Sequence, residues 1–171
     1  MPSSDTFSMR PVLDFIERHA NRSGLIADPF ARNSRLGDLR NDLNPGTDAE
    51  FHMDAVAFLK SLADRNDITT VLFDPPYSPR QIAECYAEAG LTATMKDTQN
   101  ARFYRECRDA MRAFLRPGAV VLSFGWNSAG MGRDWERLET LLVYHGGAHN
   151  DTICCADRMP VAAQMTMGEA A

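Results

Sequence analysis

The sequence predicts an α/β fold, in which a mostly parallel β-sheet is covered by helices. Short apolar runs alternate along the chain with amphipathic stretches, which is the pattern of strands connected by helices. Several of these runs end at an aspartate, and the carboxyl ends of parallel strands share one edge of a sheet. The length of 171 residues suits one domain with a substantial core.

The first half of the chain predicts four strands and two helices. Residues 11–20 place apolar side chains on one helical face, and Ala55 begins a second helical stripe. Asn44-Pro45-Gly46 is a turn signal between two of the strands. The predicted strands are residues 25–27, 39–43, 51–53 and 68–73.

The second half predicts two helices, a buried strand and a hairpin. Helices at 79–89 and 101–115 are followed by glycine or Pro-Gly stop signals. Residues 119–124 form a buried strand, while 138–144 and 151–156 flank a Gly-Gly turn and predict an antiparallel hairpin at a sheet edge. We expect the polar stretch 92–100 to be the most mobile element and residues 165–171 to fray.

The most informative motif is Asp74-Pro75-Pro76-Tyr77, which directly follows an apolar run. The amino nitrogen of a nucleobase is a poor nucleophile, because its lone pair is delocalised into the ring until the nitrogen becomes tetrahedral. Hydrogen-bond acceptors favour that change, so methylation of the amino group needs them. Asp74 supplies one acceptor and the Pro75 carbonyl another, held by two residues of fixed φ. Tyr77 offers a ring face to a base that has left its stack. The competing interpretation is an ordinary turn that closes a strand.

Three further aspartates end predicted strands ahead of this motif, namely Asp28, Asp42 and Asp54. A row of acceptors along one sheet edge suits a nucleoside-like ligand. Asp42 is placed for ribose hydroxyls and Asp54 for an adenine amino group, as in dinucleotide-binding folds. Aspartate also favours turns and helix caps, which is the alternative for each position taken singly.

Composition disfavours several classes of function. No apolar segment approaches the ~18 residues of a membrane span, and the N-terminus lacks a secretory core, so we expect an intracellular protein without a membrane partner. Four cysteines without CxxC spacing disfavour a metal site or a disulfide framework. A net charge of −5 disfavours indiscriminate nucleic-acid binding. One predicted helix carries an arginine stripe, which a solvated face also explains. The stripe comprises Arg102, Arg105, Arg108, Arg112 and Arg116.

These motifs resemble those of the S-adenosylmethionine-dependent amino-methyltransferases of DNA, and closely resemble a compact, phage-type, adenine-specific subgroup. The resemblance covers about residues 7–158. Its matching blocks are residues 41–45, 52–55, 71–80, 123–128 and 145–152. It implies a Rossmann-like methyltransferase fold with helices on both faces of a seven-stranded sheet of order 3-2-1-4-5-7-6, whose C-terminal hairpin is antiparallel. It also implies a cytoplasmic location, in a bacterial or phage-infected host cell.

The same resemblance implies the reaction and its residues. A methyl group of S-adenosylmethionine is expected to pass directly, in line, to the N6 amino group of an extruded adenine in DNA, leaving S-adenosylhomocysteine and using no metal. The implied catalytic residues are Asp74, Pro75, Pro76 and Tyr77. The implied cofactor-binding residues are Arg10, Pro11, Asp28, Pro29, Phe30, Asn33, Ser34, Asp42, Leu43, Asp54 and Ala55.

The cofactor loop departs from the family pattern. Relatives carry glycines at alternate positions after the Asp-Pro-Phe block, whereas residues 31–34 of this chain contain none and the first glycine is Gly37. Glycine permits positive φ and close approach of the backbone to the cofactor carboxylate. Asn33 tolerates left-handed geometry, and Arg32 or Ser34 offers hydrogen bonds to that carboxylate. We therefore expect cofactor binding to be altered rather than lost.

We predict one catalytic domain, residues 1–160, followed by a flexible tail at 161–171 and without a separate target-recognition domain. DNA is the expected partner. Its candidate contacts are Ser78, Arg80, Trp126 and Asn127. Target recognition is then expected from loops such as 92–100, from a homodimer or from a partner protein. Three alternatives stay open: cytosine-N4 methylation, methylation of a ribosomal RNA base, and a non-catalytic nucleic-acid-binding module that has lost efficient cofactor binding.

Overall fold

The computed structural model describes residues 6–94, 100–147 and 150–161. In this part of the chain a short 3-10 helix, Thr6–Ser8, precedes four α-helices and six strands. The helices are α1 (Arg10–His19), α2 (Ala55–Ser61), α3 (Pro79–Glu88) and α4 (Asn100–Phe114). The strands are β1 (Leu25–Asp28), β2 (Leu39–Arg40), β3 (Ile68–Phe73), β4 (Val120–Gly125), β5 (Glu136–Val143) and β6 (Thr152–Arg158). The predicted α/β class is confirmed.

The strands form one mixed sheet of order β2-β1-β3-β4-β6-β5. Strands β2, β1, β3 and β4 are parallel to one another, and β6 runs antiparallel to both β4 and β5. The predicted hairpin at the sheet edge is therefore confirmed. The prediction of seven strands is wrong for the described residues, whose order is the predicted one with its third strand left out.

The predicted third strand, residues 51–53, is reduced to one parallel bridge between Asn41 and Phe51. The Asn41 side chain takes over the pairing that a strand would supply. Its Nδ2 donates to the Met53 carbonyl at 3.0 Å, and its Oδ1 accepts from the Met53 amide at 3.1 Å. Both backbone groups of Met53 are thereby satisfied without a ladder, which is the local competition that asparagine offers to sheet pairing.

Strand β2 is also shorter than predicted, because it ends at Arg40 and not at residue 43. The Asp42 carboxylate turns the chain at this point. Its Oδ1 accepts from the Asn44 amide at 2.9 Å, two residues onward, which is the geometry of an Asx turn. The turn places Asp42 beyond the strand end, on the sheet edge where the sequence predicted it.

Helices cover both faces of the sheet, as predicted. Successive residues of a strand point to opposite faces, and β3 follows this rule. Val71 and Phe73 belong to the apolar cluster that α2 and α4 form with the sheet, whereas Leu72 belongs to the cluster of α1. Side chains such as Phe15 and Phe58 are fully buried in these clusters. The two layers hold the ends of β1, β3 and β4 at one edge.

Some predicted features lie outside the described residues: 95–99 of the stretch expected to be mobile, 148 and 149 of the hairpin turn, and 162–171 of the tail. Within the ranges described, we find no helix long and apolar enough to span a membrane. The same ranges contain no group of three or more histidine, cysteine or acidic side chains arranged to hold a metal ion.

Candidate active site

The Asp74 carboxyl group lies immediately after β3, at the carboxyl edge of the sheet. It accepts a hydrogen bond from the Tyr77 hydroxyl. The hydroxyl of Thr6, in the 3-10 helix near the N-terminus, is a second hydrogen-bonding group beside it and lowers its pKa. The turn is fixed on its far side, where the Tyr77 amide donates to Gln81 Oε1 at 2.7 Å and Ser78 Oγ caps α3. The motif thus places a half-buried carboxyl group within reach of a ligand at this edge.

Two ionisable groups of this turn have shifted pKa values. Burial raises the pKa of Asp74 to about 6, although the bonds from Tyr77 and Thr6 and the nearby Arg32 guanidinium act in the opposite direction. Asp74 is therefore an ionised acceptor above about pH 6. Burial, followed by the Asp74 carboxylate, raises the pKa of Tyr77, so its hydroxyl keeps its proton and remains a donor.

Tyr77 is half of an aromatic pair with Trp126. Their ring centroids are 5.3 Å apart with planes inclined by 49°, and Trp126 follows the last residue of β4. A Cβ atom built on Gly125 would lie 3.6 Å from the Tyr77 ring, so the ring rests against this glycine. Trp126 is 37% exposed. Of the candidate DNA contacts, Trp126 therefore lies in the candidate site, beside the Asp-Pro-Pro-Tyr turn.

The loop that carries Trp126 is fixed by hydrogen bonds from α4 and from the sheet. Arg108 and Arg112 of α4 donate to the carbonyls of Gly130 at 3.2 Å and Met131 at 2.5 Å. From the sheet, the fully buried Asp157 accepts from the Met131 amide at 2.9 Å. At least two members of the arginine stripe thus position a loop, which is a structural role that the sequence did not indicate.

A cavity of about 390 Å³ opens beside the turn, between α2, α3, α4 and the sheet edge. Its volume falls in the range of small-molecule sites. Seven residues predicted for the cofactor or for catalysis line it: Pro29, Phe30, Asp42, Leu43, Asp54, Ala55 and Pro76. The sequence-predicted strand ends and the Asp-Pro-Pro-Tyr turn therefore meet at one cavity.

Asp42 and Asp54, which line the cavity, also accept hydrogen bonds from backbone amides. Asp54 Oδ1 accepts from the amides of Val56 at 2.9 Å and Ala57 at 3.1 Å, which makes Asp54 the N-cap of α2. Asp42 Oδ2 accepts from the Arg32 amide at 3.1 Å. Capping and ligand binding are compatible, because an ionised carboxylate accepts about four hydrogen bonds. The alternative that these aspartates serve turns and helix caps is therefore correct. Both residues nevertheless line the cavity.

Asp28 ends strand β1 and does not line this cavity. The side chain is fully buried, Oδ1 accepts from the Phe30 amide at 3.1 Å, and Oδ2 has no hydrogen-bond partner. Burial, with smaller contributions from the Asp74 and Asp42 charges, raises the pKa of Asp28 to about 8. With this pKa, Asp28 is held mainly in its neutral, protonated form at pH 7.

The cofactor loop takes its left-handed residue at an unexpected position. Arg32 has φ of 49°, the only positive φ of a non-glycine residue in the described ranges. The Asn33 side chain is used otherwise, since its Oδ1 accepts from the Asp48 amide at 3.0 Å. The Ser34 hydroxyl accepts from the Leu36 amide at 3.3 Å. The expectation that Asn33 supplies the left-handed geometry is therefore wrong.

Three other predicted contacts lie on exposed surface. Arg10 forms an ion pair with Asp14 at 2.8 Å, and Pro11 follows it in the first turn of α1. Arg80 pairs with Glu84 at 2.8 Å. None of these three lines the cavity. Asn127 accepts from the Ala129 amide within its loop, so its predicted DNA contact and that of Arg80 stay predictions.

The cavity also contains residues that sequence reasoning did not select. Those with polar, sulfur-containing or aromatic side chains on the three surrounding helices are Lys60, Cys85, Tyr86, Arg102, Phe103 and Glu106. The i, i+4 spacing of Arg102 and Glu106 is visible in the sequence as an ion pair, which the structure contains at 2.7 Å. The sequence does not show which cavity that helix face closes.

Asp28 leads to a prediction about stability. Because its folded pKa lies near 8 and its ordinary value is 3.8, the folded state binds a proton that the unfolded state lacks between these values. Stability therefore falls as pH rises through this window. Asp28→Asn removes the ionisation. We therefore expect its unfolding free energy, relative to that of the wild type, to increase by about 1–3 kcal/mol when the pH is raised from 5 to 8.5. Urea unfolding at both pH values measures the gain.

Asp64→Asn is the matched control, because Asp64 is exposed at the end of α2. Its unfolding free energy should follow the wild type at both pH values. Equal pH dependence of Asp28→Asn and the wild type would contradict the assignment of a protonated Asp28.

The chain matches no protein-family model and no curated protein. Among solved structures, it is similar to a "Putative methyltransferase yhhF" from Escherichia coli, at 13% identity over 94% of this chain and 89% of that one, with a TM-score of 0.51. It is also similar to a "putative methylase" from Haemophilus influenzae (12% identity, 86% and 94% coverage, TM-score 0.46). A third is the N-methyltransferase NodS from Bradyrhizobium japonicum (12%, 94% and 100%, TM-score 0.40). The first likeness shows that this chain shares the fold of that structure.

Proposed function

We propose that the chain transfers a methyl group from S-adenosylmethionine to the N6 amino group of adenine in DNA. One observation carries the proposal: the Asp74 carboxyl group stands at the carboxyl end of β3, beside the Tyr77–Trp126 ring pair and next to a cavity with acidic strand ends. This combination supplies an acceptor for an amino group, aromatic faces for a base and a pocket for a nucleoside-containing cofactor.

The residues around the cavity fit the cofactor. S-adenosylmethionine, when bound, supplies a methyl group activated by a positively charged sulfur. Asp42 is the candidate acceptor for the ribose hydroxyls and Asp54 for the adenine amino group, and both line the cavity.

The catalytic turn fits an amino-group substrate. Asp74 and the Pro75 carbonyl accept hydrogen bonds from the target amino group, which favours the tetrahedral nitrogen that reacts. The Pro75 carbonyl needs little reorganisation, since two consecutive prolines fix the backbone around it. Tyr77 and Trp126 offer stacking surface to an extruded base, a contact that contributes about 1–3 kcal/mol per base.

The choice of adenine in DNA rests on the resemblance of the sequence blocks to adenine-specific enzymes. The same acceptor arrangement suits cytosine N4 and guanine N2, so the product identifies the target. Trp126 and Tyr77 stack on any base and do not discriminate between them.

The test is direct product analysis. The protein is incubated with methyl-labelled S-adenosylmethionine and, separately, single-stranded DNA, duplex DNA or RNA, and the methylated nucleoside is identified by mass spectrometry. We expect N6-methyladenine from DNA. N4-methylcytosine or N2-methylguanosine as sole product would overturn the choice of adenine. Absence of product, with no cofactor binding by calorimetry in the presence or absence of DNA, would favour the non-catalytic module.

A further inference from the structure

The N-terminal 3-10 helix is seated against the catalytic turn. The Phe7 ring packs edge-on against Phe124 of β4, with centroids 5.1 Å apart and planes at 71°, and only 8% of Phe7 is exposed. Thr6 is 9% exposed, and its hydroxyl lies beside the Asp74 carboxyl and the Tyr77 hydroxyl, where it lowers the pKa of both groups. A residue far away in the sequence therefore contacts the group proposed to accept the substrate amine.

From this arrangement we infer that Thr6 is a positioning residue, whose hydroxyl holds the Asp74 carboxylate in the orientation that accepts the target amino group. The inference rests on the proposed function, and it concerns a residue outside the Asp-Pro-Pro-Tyr motif. Thr6 acts through Asp74 and is not assigned contact with the substrate.

The reason that Asp74 needs such a partner lies in the motif itself. An aspartate at a turn usually accepts a hydrogen bond from a backbone amide two residues onward. Pro75 and Pro76 have no N–H, and the next amide, that of Tyr77, donates to Gln81. The diproline that fixes the Pro75 carbonyl thus deprives the carboxylate of its local donors. The hydroxyls of Tyr77 and Thr6 take their place.

Two hydroxyl donors leave room for the substrate. An ionised carboxylate offers about four acceptor positions, of which Tyr77 and Thr6 occupy two. The remaining positions suit the amino group. Removing the Thr6 hydroxyl would leave a half-buried carboxylate held by one side chain, and such a group favours its protonated form more strongly. A protonated Asp74 accepts fewer hydrogen bonds. We therefore expect removal of the Thr6 hydroxyl to change the pH dependence of methyl transfer.

Several charged or titratable groups also act on Asp74 from the elements packed around it. They are Asp28 at the end of β1, Arg32 in the following loop, Tyr77 in the turn, Tyr104 of α4 and Cys154 of β6. Thr6 is uncharged at every pH. A change at Thr6 therefore leaves all of these charges in place and tests the hydrogen bond separately from the electrostatic field.

The experiment compares Thr6→Val and Thr6→Ser with the wild type. The Asp74 carboxyl is titrated by carbon-13 NMR without substrate, its signal being assigned from Asp74→Asn. We expect Thr6→Val to raise the midpoint by about one pH unit and Thr6→Ser to keep it near the wild-type value. In methyl transfer, the acid limb of Thr6→Val should move equally, giving about a tenfold loss at pH 5 and little loss at pH 8.

Thr140→Val is the matched control, because it makes the same chemical change on the exposed strand β5, where Thr140 accepts from Arg137. Neither its Asp74 titration nor its methyl transfer should change. Phe7→Leu provides a second test should Thr6→Val fold poorly, since a less firmly packed segment should raise the Asp74 midpoint with Thr6 intact. An unchanged midpoint in Thr6→Val, equal behaviour of Thr6→Ser and Thr6→Val, or a shifted midpoint without loss of transfer at pH 5 overturns the inference.

The two readouts separate this inference from the proposed function. The NMR titration needs no methyl transfer, so it decides whether Thr6 holds Asp74 even in a protein that methylates nothing. A wild type that binds no cofactor and forms no product overturns the proposed function, and with it the catalytic meaning of the contact. A wild type that methylates DNA while Thr6→Val titrates normally overturns the inference alone.

Discussion

Asp74→Ala is expected to lose methyl transfer by about 10²–10³-fold while its affinity for S-adenosylmethionine changes little. The variant removes the carboxylate that accepts the target amino group but leaves the cavity walls intact, because Asp74 does not line the cavity. Single-turnover transfer to DNA measures the first effect, and calorimetry with the cofactor alone measures the second. The loss should appear in kcat, since the interaction strengthens as the amino nitrogen becomes tetrahedral.

Asp109→Ala is a matched control, because it truncates an exposed aspartate of α4, and its transfer rate should equal that of the wild type. The pH profile gives an independent check. Burial raises the pKa of Asp74 to about 6, so transfer by the wild type should fall as pH drops through 6 and level off above it. Methyl transfer by Asp74→Ala at the wild-type rate would refute the role assigned to the carboxylate.

Local sequence predicted strand β3 well because its signals agree. Strand β3 has the predicted bounds, since an apolar run that packs on both faces is followed by a residue that precedes proline and so avoids helical geometry. The sequence also placed Asp42 and Asp54 together at this edge of the sheet, where both line the cavity, although neither directly ends a strand in the structure. These features depend on neighbours close in the chain.

The features that sequence reasoning missed depend on distant partners. Asn41 replaces a strand ladder with its own side chain, and an apolar pattern does not show that substitution. Thr6 has no signal of its own, because its contact with Asp74 arises only from the packing of Phe7 on Phe124. Local sequence preference alone predicts neither the contact of Asn41 with Met53 nor that of Thr6 with Asp74.

Arg32 illustrates how tertiary contacts override local preference. A left-handed backbone costs an ordinary residue roughly 1–2 kcal/mol, and asparagine tolerates it better, which favoured Asn33 in the sequence. In the structure the Arg32 amide donates to Asp42, and its guanidinium reaches Glu88 of α3 at 3.5 Å. Asn33 is meanwhile committed to Asp48. The loop geometry is thus set by what the neighbouring loops can bond.

Asp42→Ala is the prediction with the second largest effect, a loss of about 100-fold in affinity for S-adenosylmethionine. The change removes the acceptor proposed for the two ribose hydroxyls. It also removes the hydrogen bonds that Asp42 accepts from the Arg32 amide at 3.1 Å and the Asn44 amide at 2.9 Å. The cofactor loop thereby loses one of its contacts with the segment that follows β2. Calorimetry without DNA measures the affinity directly, and transfer at saturating cofactor should recover much of the wild-type rate.

Two further variants separate ribose binding from loop support. Asp42→Asn keeps one oxygen acceptor and should lie between the wild type and Asp42→Ala in affinity, because the amide accepts fewer hydrogen bonds than a carboxylate. Asp48→Ala removes an exposed acid of the same connection, paired with Arg35 at 3.2 Å, and should bind the cofactor normally. Wild-type affinity in Asp42→Ala would remove Asp42 from the cofactor site and leave it as a turn residue. An equal loss in Asp48→Ala would trace the effect to the loop and not to the ribose contact.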